Sequence, residues 1–406
     1  MKKLRLFELF RGYGSQALAL KKYGVKFENV GGCEIDKYAD TAHKAIHGYV
    51  KNFGDITKVI TSELPDFDLC TYSFPCQDIS NAGKQRGLAK ESGTRSSLLW
   101  ECERIIESKK PKFLMMENVK DLVGKKFLPD FESWLSVLSE LGYNNYWKVI
   151  NAKFCGIPQN RARVFCVSIR KDIDNGIFKF EDDFDSGIRL KDVLEKEVNE
   201  KYYLSDEMVK GFIAKSPQLG YINQDTQASK VITDTENFQT LCAGTHGYAN
   251  GYVKTNNLNM IGMLDIKGNE SIRRVYDPAG LCPTITTMGG GNRQPKIIEG
   301  CAIRGRNPDN PKSRVSGLPT VQMLEVNKDT GISNCLTTVQ KDSLILENPP
   351  FRIRKLTPKE CFRLMGVSDD DINKIQDSGI SNSQQYKLAG NSIVVDCMRF
   401  LKNLPK

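Results

Sequence analysis

Histidine is nearly absent from this chain of 406 residues, which has only His43, His47 and His246. Its 12 cysteines are scattered from Cys33 to Cys397, and none form a C-x-x-C pair. Zinc sites need Cys or His clustered at ligand spacing, so no metal is expected. His43 and His47 lie one helical turn apart with no further ligand nearby, and they read as a helix-surface feature. The cysteines show no tight framework, and so many free thiols suit a reducing compartment, so a cytoplasmic location is expected. Long apolar runs are also missing. The stretch after Met1-Lys2-Lys3 is broken by Arg5, Glu8 and Arg11. That excludes a signal peptide, and no segment reaches membrane-span length.

What is present suits a large globular chain. Hydrophobic residues make up 40%, enough for one large domain and a smaller one. The formal net charge of +9 suits a polyanionic partner, although many other proteins share it.

The first part alternates strand and helix patterns. Strands are predicted at Leu4 to Phe10, Val30 to Ile35, Phe67 to Tyr72 and Phe113 to Glu117. Helices are predicted at Ser15 to Tyr23, Lys37 to His47, Leu98 to Glu107 and Phe131 to Leu141. Tyr146 to Asn151 and Arg163 to Ser168 read as a β-pair. This order predicts an α/β domain with a mostly parallel sheet. The acidic stretch Glu181 to Asp185 reads as a linker. From there to about Pro350 the chain is rich in Gly, Asn, Thr and short strands. A short Cys/Thr core recurs there at Thr240 to Ala243, Leu281 to Thr286 and Asn334 to Thr338, as three similar hairpins or a surface built from repeated ribbons. After Arg354 the chain turns helical, and it ends in a strand-like run near Ile393 to Val395.

Four segments carry candidate chemistry. Phe7-Glu8-Leu9-Phe10-Arg11-Gly12-Tyr13-Gly14-Ser15 runs from a strand through a Gly turn into a helix. Glycine lets backbone approach a ligand closely. Glu34-Ile35-Asp36 ends the second strand, where an acid can hold ribose hydroxyls, and Gly54-Asp55-Ile56 would end a third. Taken singly, each acid reads better as a helix cap or surface charge. In Tyr72-Ser73-Phe74-Pro75-Cys76-Gln77, Cys76 follows an apolar strand and precedes a polar loop, as an exposed nucleophile would. Met115-Met116-Glu117-Asn118-Val119 puts a carboxylate at the end of a buried strand, suited to proton transfer. In Pro158-Gln159-Asn160-Arg161-Ala162-Arg163-Val164, strand alternation puts Arg161 and Arg163 on one face, suited to carbonyl or phosphate oxygens.

Together these motifs resemble the cytosine-5 DNA methyltransferase family, in the family's order. Arg354-Lys355-Leu356-Thr357-Pro358-Lys359-Glu360-Cys361 with Arg363-Leu364-Met365-Gly366, and Gln385-Tyr386-Lys387-Leu388-Ala389-Gly390-Asn391-Ser392-Ile393-Val394, are similar to its last two motifs. The resemblance covers nearly the whole chain except about 181 to 345. It implies a Rossmann-like domain that binds S-adenosylmethionine, with a smaller strand-rich target-recognition domain. The domains it implies are 1–180 for the catalytic part and 181–350 for target recognition. A hinge then spans 351–384, and a segment 385–406 packs back on the catalytic part.

The resemblance also implies site roles. Phe10, Gly12 and Gly14 would line the cofactor site, Glu34 would hold the ribose, and Ile35 would flank the ring. Asp55 and Ile56 would contact adenine, and Pro75, Leu98, Asn391 and Ile393 would complete the pocket. Cys76 would attack C6 of a flipped cytosine and Glu117 would act at N3. Arg163 would bind O2, with Arg161 closer to the DNA backbone. The segment from Ser80 to Ser97 would close over the base. Arg273, Arg274, Arg293, Arg304 and Arg306 are candidates for DNA contacts, with plain surface charge as the alternative for most.

Arg11, Tyr13, Ser15 and Ser73 depart from the family's usual residues, but none removes a catalytic atom. The expected partner is double-stranded DNA, with no metal and no membrane, and the expected state is a monomer. A separately acting cognate restriction endonuclease would serve host protection, and orphan or phage roles look the same in sequence. A tRNA-modifying relative and a silent DNA-binding regulator are the rival readings.

Overall fold

In this computed structural model, residues 3–75, 98–203 and 351–405 are described. Between 204 and 350 the description covers the strands and residues 264, 282 and 283. Cys76, the segment from Ser80 to Ser97, Arg273, Arg293 and most of the Cys/Thr repeats lie outside the described residues.

The chain forms two compact units. One comprises Met1–Ile188 and Pro358–Lys406, together with 284–290, and the other comprises Arg189–Pro283 and Gly291–Thr357.

The first unit is built on a six-stranded sheet. Its strands are β1 (Leu4–Leu9), β2 (Phe27–Cys33), β3 (Leu69–Tyr72), β4 (Phe113–Val119), β5 (Tyr143–Asn151) and β6 (Ala162–Arg170). The order is β2-β1-β3-β4-β6-β5. The pairs β1–β2, β1–β3 and β3–β4 are parallel, whereas β6 runs antiparallel to both β4 and β5. The expected mostly parallel α/β sheet is therefore present, closed by an antiparallel hairpin. The strand order reverses between β1 and β3, and ligands of open α/β sheets bind at the carboxyl ends of strands at such a point.

Burial on both faces explains the apolar strands. Leu6, Phe7 and Leu9 of β1 and Leu114, Met115 and Met116 of β4 are fully buried. The Phe7 ring stacks on Phe67 at 4.8 Å, and the buried Trp134 donates to the Tyr72 hydroxyl at 3.2 Å.

The helices of this unit are α1 (Ser15–Lys22), α2 (Lys37–His47), α3 (Leu99–Lys109), α4 (Leu128–Glu140), α5 (Pro358–Arg363), α6 (Asp369–Asp377) and α7 (Asn382–Asn391). The bounds predicted for α2 are those observed. Its Asp36 cap accepts from Tyr38 N at 2.9 Å, and it stops at Gly48, whose φ is 77°. Residues 393–394 are not a strand, which corrects the sequence reading. They lead into 3-10 turns over Val395–Asn403. Those turns pack against α1, where the Tyr23 hydroxyl donates to Asp396 at 2.8 Å.

The acidic stretch at 181–185 is anchored rather than a free linker, which moves the observed boundary to 188. Lys148 meets Asp183 at 2.9 Å, Lys402 meets Glu181 at 3.1 Å, and Arg399 lies over the Phe184 ring at 4.6 Å. Basic partners distant in sequence hold Glu181 and Asp183, so composition alone read the stretch as a linker.

The second unit is strand-rich, as expected. A sheet runs in the order β13 (Val321–Asn327), β12 (Lys296–Arg306), β11 (Arg274–Tyr276), β10 (Met260–Met263) and β7 (Ile213–Ala214), and β14 (Phe351–Lys355) also pairs with β12. β8 (Val231–Thr233) and β9 (Tyr252–Lys254) form a parallel pair. Arg274 lies on β11, and Arg304 and Arg306 lie on β12. The expected hinge at 351–384 divides between the units after Thr357.

Candidate active site

The loop after β1 turns sharply at three alternate residues of positive φ. Phe10 has φ 55°, Gly12 56° and Gly14 81°. Positive φ is free for glycine and costly for phenylalanine. A Cβ added at Gly12 would meet nothing within 4 Å, so the backbone there faces open space. At Gly14 the same atom would lie 2.5 Å from His47 Nε2. The two glycines therefore do different work, one leaving room above the loop and the other admitting α2 below it.

Arg11 points inward, although it sits between these turns. It is 1% exposed, forms an ion pair with Asp40 and donates to the Val50 carbonyl at 3.3 Å. His43 is also buried, which corrects its reading as a surface residue. Its Nε2 lies 3.5 Å from Glu8 Oε2 on β1. Burial alone would raise the Glu8 carboxyl. The close approach of His43, with the amide of Asn29 donating at 2.6 Å, holds it below the usual range.

Glu34 follows β2 and closes on the loop. Gly12 N donates to its Oε2 at 2.9 Å and Asp36 N to its Oε1 at 2.8 Å. Burial holds its carboxyl above the ordinary range despite these donors. Ile35 beside it is 79% exposed.

Asp55 is not on a third strand. It caps a 3-10 turn at Ile56–Lys58 and accepts from Thr57 N at 3.0 Å. Asn52 ties this turn to Glu34. It accepts from Glu34 N and Gly54 N, and donates to the Glu34 carbonyl, each at 3.0 Å. Arg104 of α3 donates to the carbonyls of Ile56 at 3.0 Å and Val59 at 2.7 Å. Leu98 caps α3 and packs on the core.

A second cluster lies at the ends of β3 and β4. The Ser73 hydroxyl donates to the Glu117 carboxylate, and Asn118 Nδ2 donates to the Phe74 carbonyl at 3.1 Å. Arg163 Nε lies 3.4 Å from Glu117 Oε1. Glu117 is 5% exposed. The half-buried Pro75 therefore stands next in chain to two anchored residues, and Cys76 follows it outside the described residues.

Arg161 belongs elsewhere, which corrects its expected place beside Arg163. β6 begins at Ala162, so Arg161 precedes the strand. It is 4% exposed, and its Nη2 donates to the carbonyls of Gly390 at 3.1 Å and Ser392 at 2.9 Å. Gln159 is also buried and donates to the Leu364 carbonyl at 2.7 Å. The C-terminal segment thus packs within the first unit against the N-terminal strands and helices, where Lys387 meets Asp36 at 2.6 Å. Asn391 is exposed at the end of α7, while Ile393 is buried.

Sequence reasoning assigned no role to Asn52 or Arg104. Both act on main-chain groups more than 15 residues away, and no local pattern announces that. Ser73 and Tyr13 were visible only as departures from the family's usual residues. Among the described residues, no group of three or more His, Cys, Asp or Glu could hold a metal ion, and no helix is long and apolar enough to cross a membrane.

A doubly wound α/β sheet with a glycine loop, an acid after β2 and a carboxylate at the end of β4 defines a methyltransferase-type domain. The model of C-5 cytosine-specific DNA methylases matches residues 4–403, and the chain belongs to that family. It is 33% identical to the orphan methyltransferase M.SPBetaI of Bacillus phage SPbeta, over 98% of this chain and 96% of that protein. It is 44% identical to the type II methyltransferase M2.ScrFI of Lactococcus lactis subsp. cremoris, over 51% of this chain and 71% of that one. Among solved structures, S. pombe Dnmt2 methyltransferase aligns with a TM-score of 0.57 at 17% identity, covering 99% of this chain and 98% of that one. At that identity the likeness concerns the fold alone.

Proposed function

We propose that this DNA cytosine-5 methyltransferase works through Cys76, Glu117 and Arg163, with S-adenosylmethionine as methyl donor and double-stranded DNA as substrate. The observation that carries the reading is the Glu117 cluster. Ser73 and Arg163 meet one buried carboxylate beside the segment that leads into Cys76.

The Cys76 thiolate attacks C6 of the cytosine, forming an S–C6 bond and making C5 enamine-like. Glu117 eases the attack by hydrogen bonding or proton transfer at N3. Arg163 donates to O2 and holds the ring. When bound, S-adenosylmethionine would supply an electrophilic methyl group to C5, its sulfonium S–CH3 bond breaking to leave S-adenosylhomocysteine. Loss of the C5 proton to a base then expels the Cys76 sulfur and restores the aromatic ring. C6 and C5 are shielded inside a stacked duplex, so the base must be flipped out.

The loop fits the donor. Gly12 faces open space, Glu34 lies at its amide with a carboxylate able to accept from ribose hydroxyls, and the apolar Ile35 stands exposed beside it. Phe10, Gly14, Asp55, Ile56, Pro75, Leu98, Asn391 and Ile393 would complete the pocket. The second unit, with the arginines of β11 and β12, serves target recognition. The 33% identity to phage and bacterial methyltransferases over nearly the full length supports a modification role.

The test is base-resolution methylation sequencing of plasmid DNA after incubation with the protein and S-adenosylmethionine, beside Cys76→Ser. The expected result is 5-methylcytosine at one short motif, absent with Cys76→Ser. Methylation retained by Cys76→Ser would overturn the mechanism. Unmodified DNA despite cofactor binding would send the search to RNA substrates.

A further inference from the structure

One buried polar chain connects the glycine loop, the C-terminal segment and the start of β6. Tyr13 stands between Gly12 and Gly14, and its hydroxyl lies 2.7 Å from Ser392 Oγ. Ser392 Oγ donates its proton to the Ala389 carbonyl at 3.0 Å. A hydroxyl has a single proton, so Tyr13 is the donor in the first contact. Burial holds the Tyr13 phenol well above its ordinary range, so it keeps its proton at any working pH. From the other side, Arg161 Nη2 donates to the carbonyls of both Gly390 and Ser392. These two residues bracket Asn391. Tyr13, Ser392 and Arg161 are each buried, whereas Asn391 between them is exposed.

We propose that Tyr13 and Arg161 are positioning residues that fix the backbone on either side of Asn391 and so hold Asn391 against the glycine loop as part of the methyl-donor site. The inference rests on the reading of residues 10–14 and 391 as that site. It reassigns Arg161 from the DNA side, since a guanidinium that is 4% exposed and engaged with two carbonyls is not available to a phosphate. It also gives a task to Tyr13, a bulky residue set between two glycines of the loop. With the carbonyls before and after Asn391 fixed, its side chain loses little further freedom on meeting a ligand, and preorganisation of that kind strengthens binding.

The experiment is calorimetric titration of the full chain with S-adenosylhomocysteine. The variants are Tyr13→Phe, Arg161→Lys, Asn391→Ala and the double variant Tyr13→Phe/Asn391→Ala. Ser392→Ala removes the Tyr13 bond from the other side and replaces Tyr13→Phe should that variant fail to fold. Loss of one buried hydrogen bond predicts weakening of about fivefold for Tyr13→Phe. Asn391→Ala weakens binding at least as much, and the double variant binds no more weakly than Asn391→Ala alone. A purely structural role for Tyr13 would lower thermal stability without that non-additivity. Wild-type affinity in Tyr13→Phe beside a weakened Asn391→Ala overturns the proposal, and so do effects that multiply in the double variant. Unchanged binding in Asn391→Ala overturns the donor-site reading itself.

Discussion

The hydroxyl of Ser73 donates to the carboxylate of Glu117, so the strand that ends in the candidate acid also holds the segment that leads into Cys76. The same hydroxyl lies 3.2 Å from the Glu117 carbonyl, and Asn118 fixes the Phe74 carbonyl from the next position. Two adjacent residues at the end of β4 thus restrain two adjacent residues after β3. Arg163 approaches the opposite oxygen of the carboxylate from β6.

Glu117→Gln keeps the shape of the cluster and removes its ability to transfer a proton. We expect kcat to fall by about 10²- to 10⁴-fold with thermal stability nearly unchanged. Ser73→Ala removes only a restraint, and its kcat should fall by about tenfold or less. Steady-state methylation assays with thermal melts check both. A Ser73→Ala variant more impaired than Glu117→Gln would reverse the assigned order of importance.

The two loop glycines should fail in different ways when changed to alanine. At Gly14 the new Cβ would meet His47 and His43 within 3 Å, and the φ of 81° adds backbone strain. Gly14→Ala should therefore destabilise the fold by about 1–3 kcal/mol. At Gly12 nothing lies within 4 Å, so Gly12→Ala bears only the backbone cost of about 1 kcal/mol. Its Cβ projects into the space assigned to the donor, so its principal effect should be weaker binding of S-adenosylhomocysteine. Urea unfolding and calorimetry of the two variants separate these outcomes. A Gly12→Ala variant with normal affinity would remove the donor from above that loop.

These contrasts show where the sequence could be read and where it could not. The bounds of α2 were legible because its start and stop are local, with Asp36 capping one end and Gly48 the other. β4 was legible because burial on both faces makes its first four residues, Phe113 to Met116, continuously apolar. The position of Arg11 was not, since its partner Asp40 lies 29 residues away on another element. The burial of His43 depends in the same way on Glu8. Asp55 looked like a strand end because it follows Gly54, yet its carboxylate caps its own turn. Glu117 and Arg163 meet although 46 residues separate them in sequence, which no local pattern shows, whereas Arg161 departs from strand alternation because β6 starts one residue after it.

The ion pair of Arg11 with Asp40 should matter for stability far more than the surface pairs. The Arg11 side chain is wholly buried, whereas that of Asp40 is 17% exposed and also meets Lys44 and Asn52. Asp40→Ala leaves a guanidinium in the interior that, among the described residues, keeps a hydrogen bond to the Val50 carbonyl but loses its ion-pair partner. Loss of one partner of a buried pair costs about 3–5 kcal/mol. Replacing Asp172, a 58% exposed partner of Arg170, should cost far less, because solvent screens an exposed pair. Urea denaturation of Asp40→Ala and Asp172→Ala makes the comparison. Equal midpoints would mean that Arg11 finds another partner or reaches water.

His47 predicts a pH window for stability. Burial pushes its imidazole down to about 4 from the ordinary value of 6.5, with the neighbouring His43 acting in the same direction. Glu8 and Asp371 act against that shift, as does the Tyr13 carbonyl, which accepts from Nε2 at 3.1 Å. A base whose pKa is depressed by folding stabilises the native state above its unfolded pKa. The unfolded chain takes up the proton first as the pH falls. Stability from this residue is therefore full above about pH 6.5 and is lost progressively toward about pH 4. The Glu8 carboxyl, held below 4.5, adds its own loss only in more acid solution. His47→Gln can keep a donor near the Tyr13 carbonyl but carries no titrating group. Its unfolding midpoint should change less between pH 7 and pH 4.5 than that of the wild type. Parallel pH dependences of stability in the two proteins would assign the acid sensitivity to other groups.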